Sequence, residues 1–446
     1  MATISSVPPE LLLDILTQAV TLSLFTAPLV VHGQFTQVPS MCRTCCYRQF
    51  ASVSKTWSEI IRQEFLGKEI IFGAHGSEKD EEVLSCVSKN GDRAAKVKNI
   101  DASLRGWQGW KSLPTVTAST HVEGEEESHG FLETREAQLE KQRQQVLNRD
   151  RQRLVRLLAA CRNIDEFDID VGFYSTIPQL PTILPSSIRT LTLRNCDAQE
   201  TFDLIENLPL LENLTLRLAL DWRIAPAAAR RVPSCRLRTF ELSFTAFASA
   251  KLDDILALLS SSRETLSSLT IRNKGTSSEG LQALLPISRG LLDAFSSQLE
   301  HLSIKDIPRT GRRCPDARAS FCWFPNRPTM FRRLRSLQLT GLPSLTPELF
   351  KSTLVLPSAP PRLERLIIED FDSPSPETLV AALEKTAALE DLKLLELSVR
   401  QRGEGSEAAE KAIEEWCRGQ GRSDGKCTEL RASWRMKKID HYCGFW

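Results

Sequence analysis

The residues that could bind a metal or act as nucleophiles are twelve cysteines and six histidines in 446 residues. The densest group is Cys42-Arg-Thr-Cys45-Cys46, and a C-x-x-C pair can supply half of a structural zinc site. The sequence has no second C-x-x-C, and Cys417, Cys427, His441 and Cys443 lie at the far end of the chain. Because zinc ligands usually lie close in sequence, we expect buried or unused thiols, and no metal or other cofactor.

No arrangement of residues indicates catalysis. The six histidines are scattered, at positions 32, 75, 121, 129, 301 and 441. The sequence contains no G-x-x-x-x-G-K-[ST], no G-x-G-x-x-G and no H-E-x-x-H. Nothing supplies a nucleophile with an adjacent base. The sequence therefore predicts a protein that is not an enzyme.

A second group of candidate residues is basic. Arg194, Arg217, Arg272 and Lys305 share one position, the seventh, of a nine-residue phrase that recurs along the chain. Arg and Lys bind carboxylate and phosphate oxygens through charge-assisted hydrogen bonds, so this column suits an acidic or phosphorylated peptide. A solvated surface without a ligand is the alternative, since charges on a protein surface are the default. Polar candidates occupy neighbouring outward positions: Thr192, Glu241, His301 and Gln338.

The phrase is clearest in Ile188-Arg-Thr-Leu191-Thr-Leu193-Arg-Asn-Cys196, with apolar residues at positions one, four and six. Its middle alternates with period two, as a half-buried strand does. Helical patterns such as 252–259 and 376–383 lie between copies, so the predicted unit is strand, loop, helix, loop. The nine copies begin at Ile164, Ile188, Leu211, Leu237, Leu266, Leu299, Leu334, Leu363 and Leu389.

This phrase, repeated at intervals of 23 to 35 residues, resembles the strand segment of leucine-rich repeats. The resemblance implies an α/β solenoid with parallel strands on a concave face and helices on a convex face. Positions three, five and seven of each strand would then point away from the core and form the concave surface. The family often has Asn or Cys at position nine, and only Cys196 fits, so we expect irregular loops.

The first seventy residues contain two short amphipathic helical patterns. Residues 7–16 read V-P-P-E-L-L-L-D-I-L, and residues 53–57 read V-S-K-T-W. They resemble the F-box, whose pattern is L-P-x-E-L-L-x-x-I-L followed by V-C-K-x-W. Val7 and Ser54 depart mildly from it, and the segment 20–47 is longer than the usual link. The resemblance implies docking on a Skp-family adaptor, and through it a cullin, by Pro8, Leu11, Leu12, Ile15, Leu16, Phe50, Val53, Trp57 and Ile60.

The sequence predicts four parts, with a degenerate first repeat strand at 97–102. Few core residues occur in 106–150, so we expect an acidic loop that passes into a solvated helix ending near Cys161. The parts are a helical module at 1–72 with an insertion at 20–47, a linker at 73–96, the solenoid at 97–400 with a charged insertion at 106–150, and a C-terminal cap and tail at 401–446.

Composition indicates a soluble folded protein, with 41% apolar and 25% charged residues. The net charge of +1 gives no reason to expect nucleic-acid or membrane-surface binding. The most apolar stretch, 19–31, is too short to span a bilayer, and no Lys or Arg precedes it as in a secretory signal. We therefore expect a cytoplasmic or nuclear protein.

These patterns together predict the substrate-recognition subunit of an SCF-type ubiquitin ligase, whose array binds a protein substrate while partner subunits carry the catalysis. A scaffold outside the ligase system is the alternative, with the N-terminal helices acting only as a cap on the array. A third, weaker alternative is an enzyme or metal protein that uses the cysteine group at 42–46.

Overall fold

In the computed structural model the chain divides into two compact units, Met1–Ile188 and Arg189–Trp446. The structure describes residues 30–31, 34–35, 55, 57–59, 68–71, 77–102, 129–171, 180–218, 222, 232–244, 250–273, 278–306, 331–340, 363–371, 391–399, 406–419 and 427–433.

The described residues of the first unit form a short antiparallel pair and three parallel strands. The pair is β1 (Val30–Val31) with β2 (Gln34–Phe35). The parallel strands are β3 (Glu69–Ile71), β4 (Asn99–Ala102) and β5 (Glu166–Asp170), hydrogen-bonded in chain order. The helices for which the structure gives bounds in this unit are α1 (Ser77–Lys89), α2 (Gly91–Lys96), α3 (His129–Ala160) and α4 (Leu180–Ile183).

The core of this unit follows the strand alternation. Ile70, Ile100 and Phe167 are Cα partners on β3, β4 and β5, and all three are buried. Burial of alternate residues removes apolar surface from water and fixes the strand register. The predicted strand at 97–102 and the predicted helix ending near Cys161 are both confirmed.

Two expectations for this unit are wrong. Within the stretch 73–96, expected as a linker, residues 77–96 contain α1 and α2, because Leu84, Val87 and Ala94 are buried despite the polar composition around them. Residues 69–71, which the sequence analysis placed in the helical module, form β3 and pair with β4. They therefore belong to the sheet.

An ion-pair network joins α1 to α3. Arg153 Nε lies 2.9 Å from Glu81 Oε2, and Arg153 Nη1 lies 3.2 Å from Asp150 Oδ1. Arg156 Nη1 contacts the other oxygen of Glu81 at 3.2 Å. Burial raises the pKa of Asp150, whereas the hydrogen bond from Arg153 is the main cause that lowers the pKa of Glu81. The network fixes how the two helices pack.

In the residues of the second unit that the structure describes, nine parallel strands pair in chain order, and the sheet that they form does not close on itself. The strands are β6 (Thr190–Arg194), β7 (Asn213–Leu218), β8 (Thr239–Phe244), β9 (Ser268–Asn273), β10 (His301–Asp306), β11 (Ser336–Thr340), β12 (Arg365–Phe371), β13 (Leu394–Val399) and β14 (Glu429–Ser433).

In the described part of the chain, the segments between these strands contain four helices: α5 (Ala198–Ile205), α6 (Leu252–Leu258), α7 (Ser278–Phe295) and α8 (Ser406–Cys417), with a 3₁₀ turn at Ser260–Ser262. Asp197 caps α5 and forms a capping box with Glu200. Helix α7 packs on α6 where a methyl group at Gly290 would overlap the Leu252 side chain. Among the helices in the described part of the chain, none is long and apolar enough to cross a membrane.

The apolar positions of the phrase form the core of the second unit. On β6 to β12 the fourth-position residues are Cα partners of one another, and each is at most 1% exposed. They are Leu191, Leu214, Phe240, Leu269, Leu302, Leu337 and Leu366. The predicted α/β class, the parallel strands and their inward faces are therefore confirmed.

The ninth copy of the phrase has a different frame from the predicted one. Leu395 pairs with Leu366 and Leu397 with Ile368, so the buried triplet is Leu392, Leu395 and Leu397 rather than 389, 392 and 394. The stretch 389–397 matches the pattern in both frames, and only pairing with β12 selects one. Glu396 and Ser398 therefore take the fifth and seventh positions that sequence alone assigned to Lys393 and Leu395.

The C-terminal segment adds one further repeat to the sheet. Helix α8 buries Ile413 and Trp416. Strand β14, which the sequence did not indicate, pairs in parallel with β13. Buried Thr428 donates a hydrogen bond from Oγ1 to the Leu392 carbonyl oxygen at 2.6 Å, which joins the chain before β14 to the preceding strand.

Candidate functional site

The outward face of the second unit carries a continuous row of seventh-position side chains. The strand pairing makes each of these residues the Cα partner of the next, so neighbours are about 4.8 Å apart. The seventh-position row reads Arg194, Arg217, Ser243, Arg272, Lys305, Thr340, Glu369 and Ser398. It therefore holds two pairs of adjacent cations, separated by a buried serine.

The fifth-position row runs beside it and is mainly polar. Glu241 is the Cα partner of Thr270, and Thr270 is the partner of Ser303, which places hydroxyl groups next to the second cation pair. Ile367 interrupts the row and is only 5% exposed, so not every fifth position faces solvent. The fifth-position row reads Thr192, Thr215, Glu241, Thr270, Ser303, Gln338, Ile367 and Glu396.

Arg272 has a carboxylate partner on the neighbouring strand. Its Nε lies 3.1 Å from Glu241 Oε1, and both side chains are largely covered, at 30% and 17% exposure. Glu241 on β8 thus neutralises Arg272 on β9 across one strand boundary. An ion pair that is partly removed from water is less screened than an exposed one.

Lys305 is the cation of the second pair that lacks such a partner. Within the described residues its ammonium group forms no ion pair and no hydrogen bond. Burial is the main cause that lowers the pKa of Lys305, and the positive charge of Arg272 lowers it further. The more distant carboxylates Glu369 and Glu241 act in the opposite direction. A half-buried ammonium with unused donors beside another cation is an arrangement that an incoming anion would relieve.

The strands on the other side of Lys305 carry a network of hydrogen bonds. Ser303 Oγ donates to Gln338 Oε1 at 3.2 Å, and Gln338 Nε2 donates to Glu369 Oε2 at 3.0 Å. Thr340 Oγ1 donates to the same carboxylate oxygen at 3.0 Å. Glu369 thus accepts two bonds from β11, and the polar groups of this region satisfy one another.

Just before several strands, at the second position of the phrase, acidic and basic side chains of neighbouring copies form ion pairs. Arg189 Nη1 lies 2.8 Å from Glu212 Oε1, and Lys393 Nζ lies 2.9 Å from Glu364 Oε2. The hydrogen bond from Lys393 is the main cause that lowers the pKa of Glu364. These pairs are solvent-exposed, so they contribute little to stability.

The eight residues predicted to bind substrate all lie on the described strands of the second unit. Arg194, Arg217, Arg272 and Lys305 share the seventh-position row. Thr192, Glu241 and Gln338 share the fifth-position row, and exposed His301 begins β10. Sequence alone did not select Ser303, which donates a hydrogen bond to Gln338, or Thr340 and Glu369, which are hydrogen-bonded to each other beside it. Their outward positions in the phrase were the available signal. Substrate binding by all these residues stays a prediction.

Of the nine residues predicted to dock an adaptor, the structure describes only Trp57. It lies in a helical segment and is half-buried. Outside the described residues lie Pro8, Leu11, Leu12, Ile15, Leu16, Phe50, Val53 and Ile60. The docking assignment therefore stays a prediction from the sequence.

Four of the cysteines in the described ranges are buried: Cys161, Cys196, Cys235 and Cys417. Burial raises the pKa of Cys196 to about 12 and those of Cys161 and Cys235 to about 11. Such thiols stay protonated near neutral pH and are poor nucleophiles. Among the residues that the structure describes, no three His, Cys, Asp or Glu side chains are grouped to hold a metal ion. The cysteines at 42, 45 and 46 lie outside those residues.

No protein-family model matches this sequence, and no curated protein is significantly similar to it.

Proposed function

We propose that this protein is a substrate receptor of an SCF-type ubiquitin ligase. Its second unit would act as a leucine-rich-repeat solenoid whose strand face holds a protein substrate. The segment that resembles the F-box would dock on a Skp-family adaptor bound to a cullin. The receptor would act in the cytoplasm or the nucleus, where its thiols stay reduced.

The observation that carries the proposal is the alignment of outward side chains across eight successive strands. Parallel strands about 4.8 Å apart, each presenting polar residues at fixed positions, make an extended surface of a kind that repeat proteins use to hold partners. The row combines paired cations, hydroxyls and carboxylates, which can bind the side chains and backbone of another protein.

A receptor of this kind contributes positioning and no bond-making chemistry. Holding a substrate near a ubiquitin-loaded partner raises the effective concentration of its lysines at the reactive thioester. This role agrees with the raised pKa values of the buried thiols Cys196 and Cys235, which make those two residues unsuitable as nucleophiles.

Adaptor docking is tested by pull-down of a purified Skp-family adaptor with the full chain. We expect the double variant Trp57→Ala, Leu12→Ala to lose binding by at least about tenfold, because two apolar anchors are removed. The matched control is Val232→Ala, which truncates a side chain that is 68% exposed in the second unit. Unchanged adaptor binding by a double variant with a wild-type circular dichroism spectrum would show that the docking assignment is wrong.

A scaffold function outside the ligase system is the second candidate. The pairing of β3 with β4 favours it, because the chain that follows the predicted N-terminal helices enters a sheet at Glu69, as expected if those helices cap it. Co-purification of a cullin with the full chain separates the two functions. A truncation for this test should remove residues 1–67 and keep β3, since deletion to residue 72 would also remove a strand.

A further inference from the structure

The neighbourhood of Lys305 carries a charge pattern that selects among anions. Lys305 and Arg272 are Cα partners on adjacent strands, so their charged groups are held within reach of one ligand. Arg272 is already paired with Glu241 at 3.1 Å, whereas Lys305 forms no ion pair with any described residue. The two cations therefore leave one positive charge, that of Lys305, without a close carboxylate partner.

Two carboxylates limit the size of the negative charge that can enter. Glu241 on β8 and Glu369 on β12 each lie two strands from Lys305, on opposite sides, at roughly 10–12 Å between Cα atoms. Both carboxylates influence Lys305 electrostatically. Glu369 is held in place by hydrogen bonds from Gln338 and Thr340, and Glu241 is held by Arg272. Neither can turn away from a ligand without losing these contacts.

We infer that Lys305 and Arg272 form a subsite for a single carboxylate of an acidic partner segment, an Asp or Glu side chain, and that Glu241 and Glu369 disfavour a doubly charged phosphoryl group. A carboxylate brings one negative charge, which matches the single unpartnered cation. A phosphoryl group brings nearly two and would be repelled from both sides. Thr270, between Glu241 and Ser303 in the fifth-position row, adds a hydroxyl donor next to the cations.

This inference rests on the proposed use of the face to bind protein, and it names the chemistry of the segment bound. The consequence is that a partner with phosphoserine in place of the Asp or Glu that faces Lys305 would bind more weakly. The Arg194 and Arg217 pair lies beyond Ser243 in the seventh-position row and is not part of this subsite.

The test starts from random twelve-residue peptides displayed on phage and selected on the purified full chain. The strongest binder is synthesised with a fluorescent label, and each acidic position is replaced in turn by Gln or by phosphoserine. Fluorescence anisotropy then gives the affinity of each peptide for the wild type, for Lys305→Gln and for a control. The control is Arg365→Gln, which removes an exposed cation from the outward face of β12.

We expect one acidic position at which both Gln and phosphoserine reduce affinity by about tenfold, as loss of a charge-assisted hydrogen bond does. The loss of affinity caused by Gln should disappear in Lys305→Gln and persist in Arg365→Gln, whereas the penalty for phosphoserine should remain in both, because Glu241 and Glu369 are unchanged. In Glu369→Gln, which removes one flanking charge and keeps an acceptor oxygen, the penalty for phosphoserine should shrink while the penalty for Gln remains.

The inference is overturned if phosphoserine binds as tightly as Glu at every acidic position, or if Lys305→Gln leaves every acidic contribution unchanged. Selection of peptides without enriched Asp or Glu also overturns it. None of these results alters adaptor pull-down by Trp57 and Leu12 variants, so failure of the subsite and failure of the proposed ligase role are distinguishable.

Discussion

Two neighbouring regions of the outward face share a backbone and differ in how their polar side chains are satisfied. On β9 and β10, Arg272 and Lys305 are adjacent cations, and only Arg272 has a carboxylate partner among the described residues. On β11 and β12, Gln338, Thr340 and Glu369 are bonded to one another. The comparison shows that the polar side chains of β11 and β12 satisfy one another, whereas the ammonium group of Lys305 on β10 still has donors that a ligand could use.

The largest effect should come from the core that the two regions share. Leu269→Ala on β9 and Leu337→Ala on β11 each remove a side chain that is at most 1% exposed. We expect each to lower the free energy of unfolding by about 2–5 kcal/mol, through lost burial and a residual cavity. Urea denaturation followed by circular dichroism measures this. A loss that differs greatly between the two strands would contradict the equivalence of the repeats.

An intermediate effect should separate the two regions. Glu369→Ala removes the acceptor of two hydrogen bonds and leaves the donors of Gln338 and buried Thr340 without it. We expect a loss of about 1–3 kcal/mol in the free energy of unfolding, the cost of unsatisfied buried donors. Glu396→Ala, at the next outward fifth position along the sheet, is the control. Equal stability of the two variants in urea would show that the network does not hold this region together.

The smallest effect should come from the exposed charges before the strands. Lys393→Gln removes the hydrogen bond that lowers the pKa of Glu364, so this pKa should rise toward 4.5. A carboxyl whose pKa is lower in the folded than in the unfolded state stabilises the fold at any pH above the unfolded-state pKa. This contribution is lost as pH falls through the folded-state pKa. Carboxyl ¹³C chemical shifts in a pH titration report the change. An unchanged Glu364 titration would mean that this pair is not formed in solution.

The strand row was predictable because its signal is repeated. Residues such as Leu191 and Leu193 alternate with polar neighbours in copy after copy, and this pattern fixes which face is buried. The signal was insufficient at 389–397, where two frames fit and pairing with β12 decides. It was also insufficient at 77–96, where a few buried residues such as Leu84 lie among many charges.

The candidate site was predictable as a surface but not as a set of bonds. The phrase placed Arg272, Lys305 and Gln338 at outward positions, and strand pairing puts them there. Which carboxylate binds which cation depends on side-chain conformations across strands that are separated by about thirty residues in sequence. The spacing of the phrase contains no information on that choice, so the internally satisfied network around Glu369 could not be anticipated.

The central claim, that Lys305 serves a ligand rather than the fold, is tested most directly by the stability of Lys305→Gln in urea. We predict that the variant is at least as stable as the wild type at pH 7, because a half-buried cation beside Arg272 is removed. A lysine with a lowered pKa in the folded state destabilises the fold while it is charged, and this cost is relieved as pH rises from the lowered value toward 10.5. The free energy of unfolding of the wild type should therefore rise relative to that of Lys305→Gln as pH increases through that alkaline range. A loss of about 1 kcal/mol or more at pH 7 would contradict the account, since it would make Lys305 a structural residue.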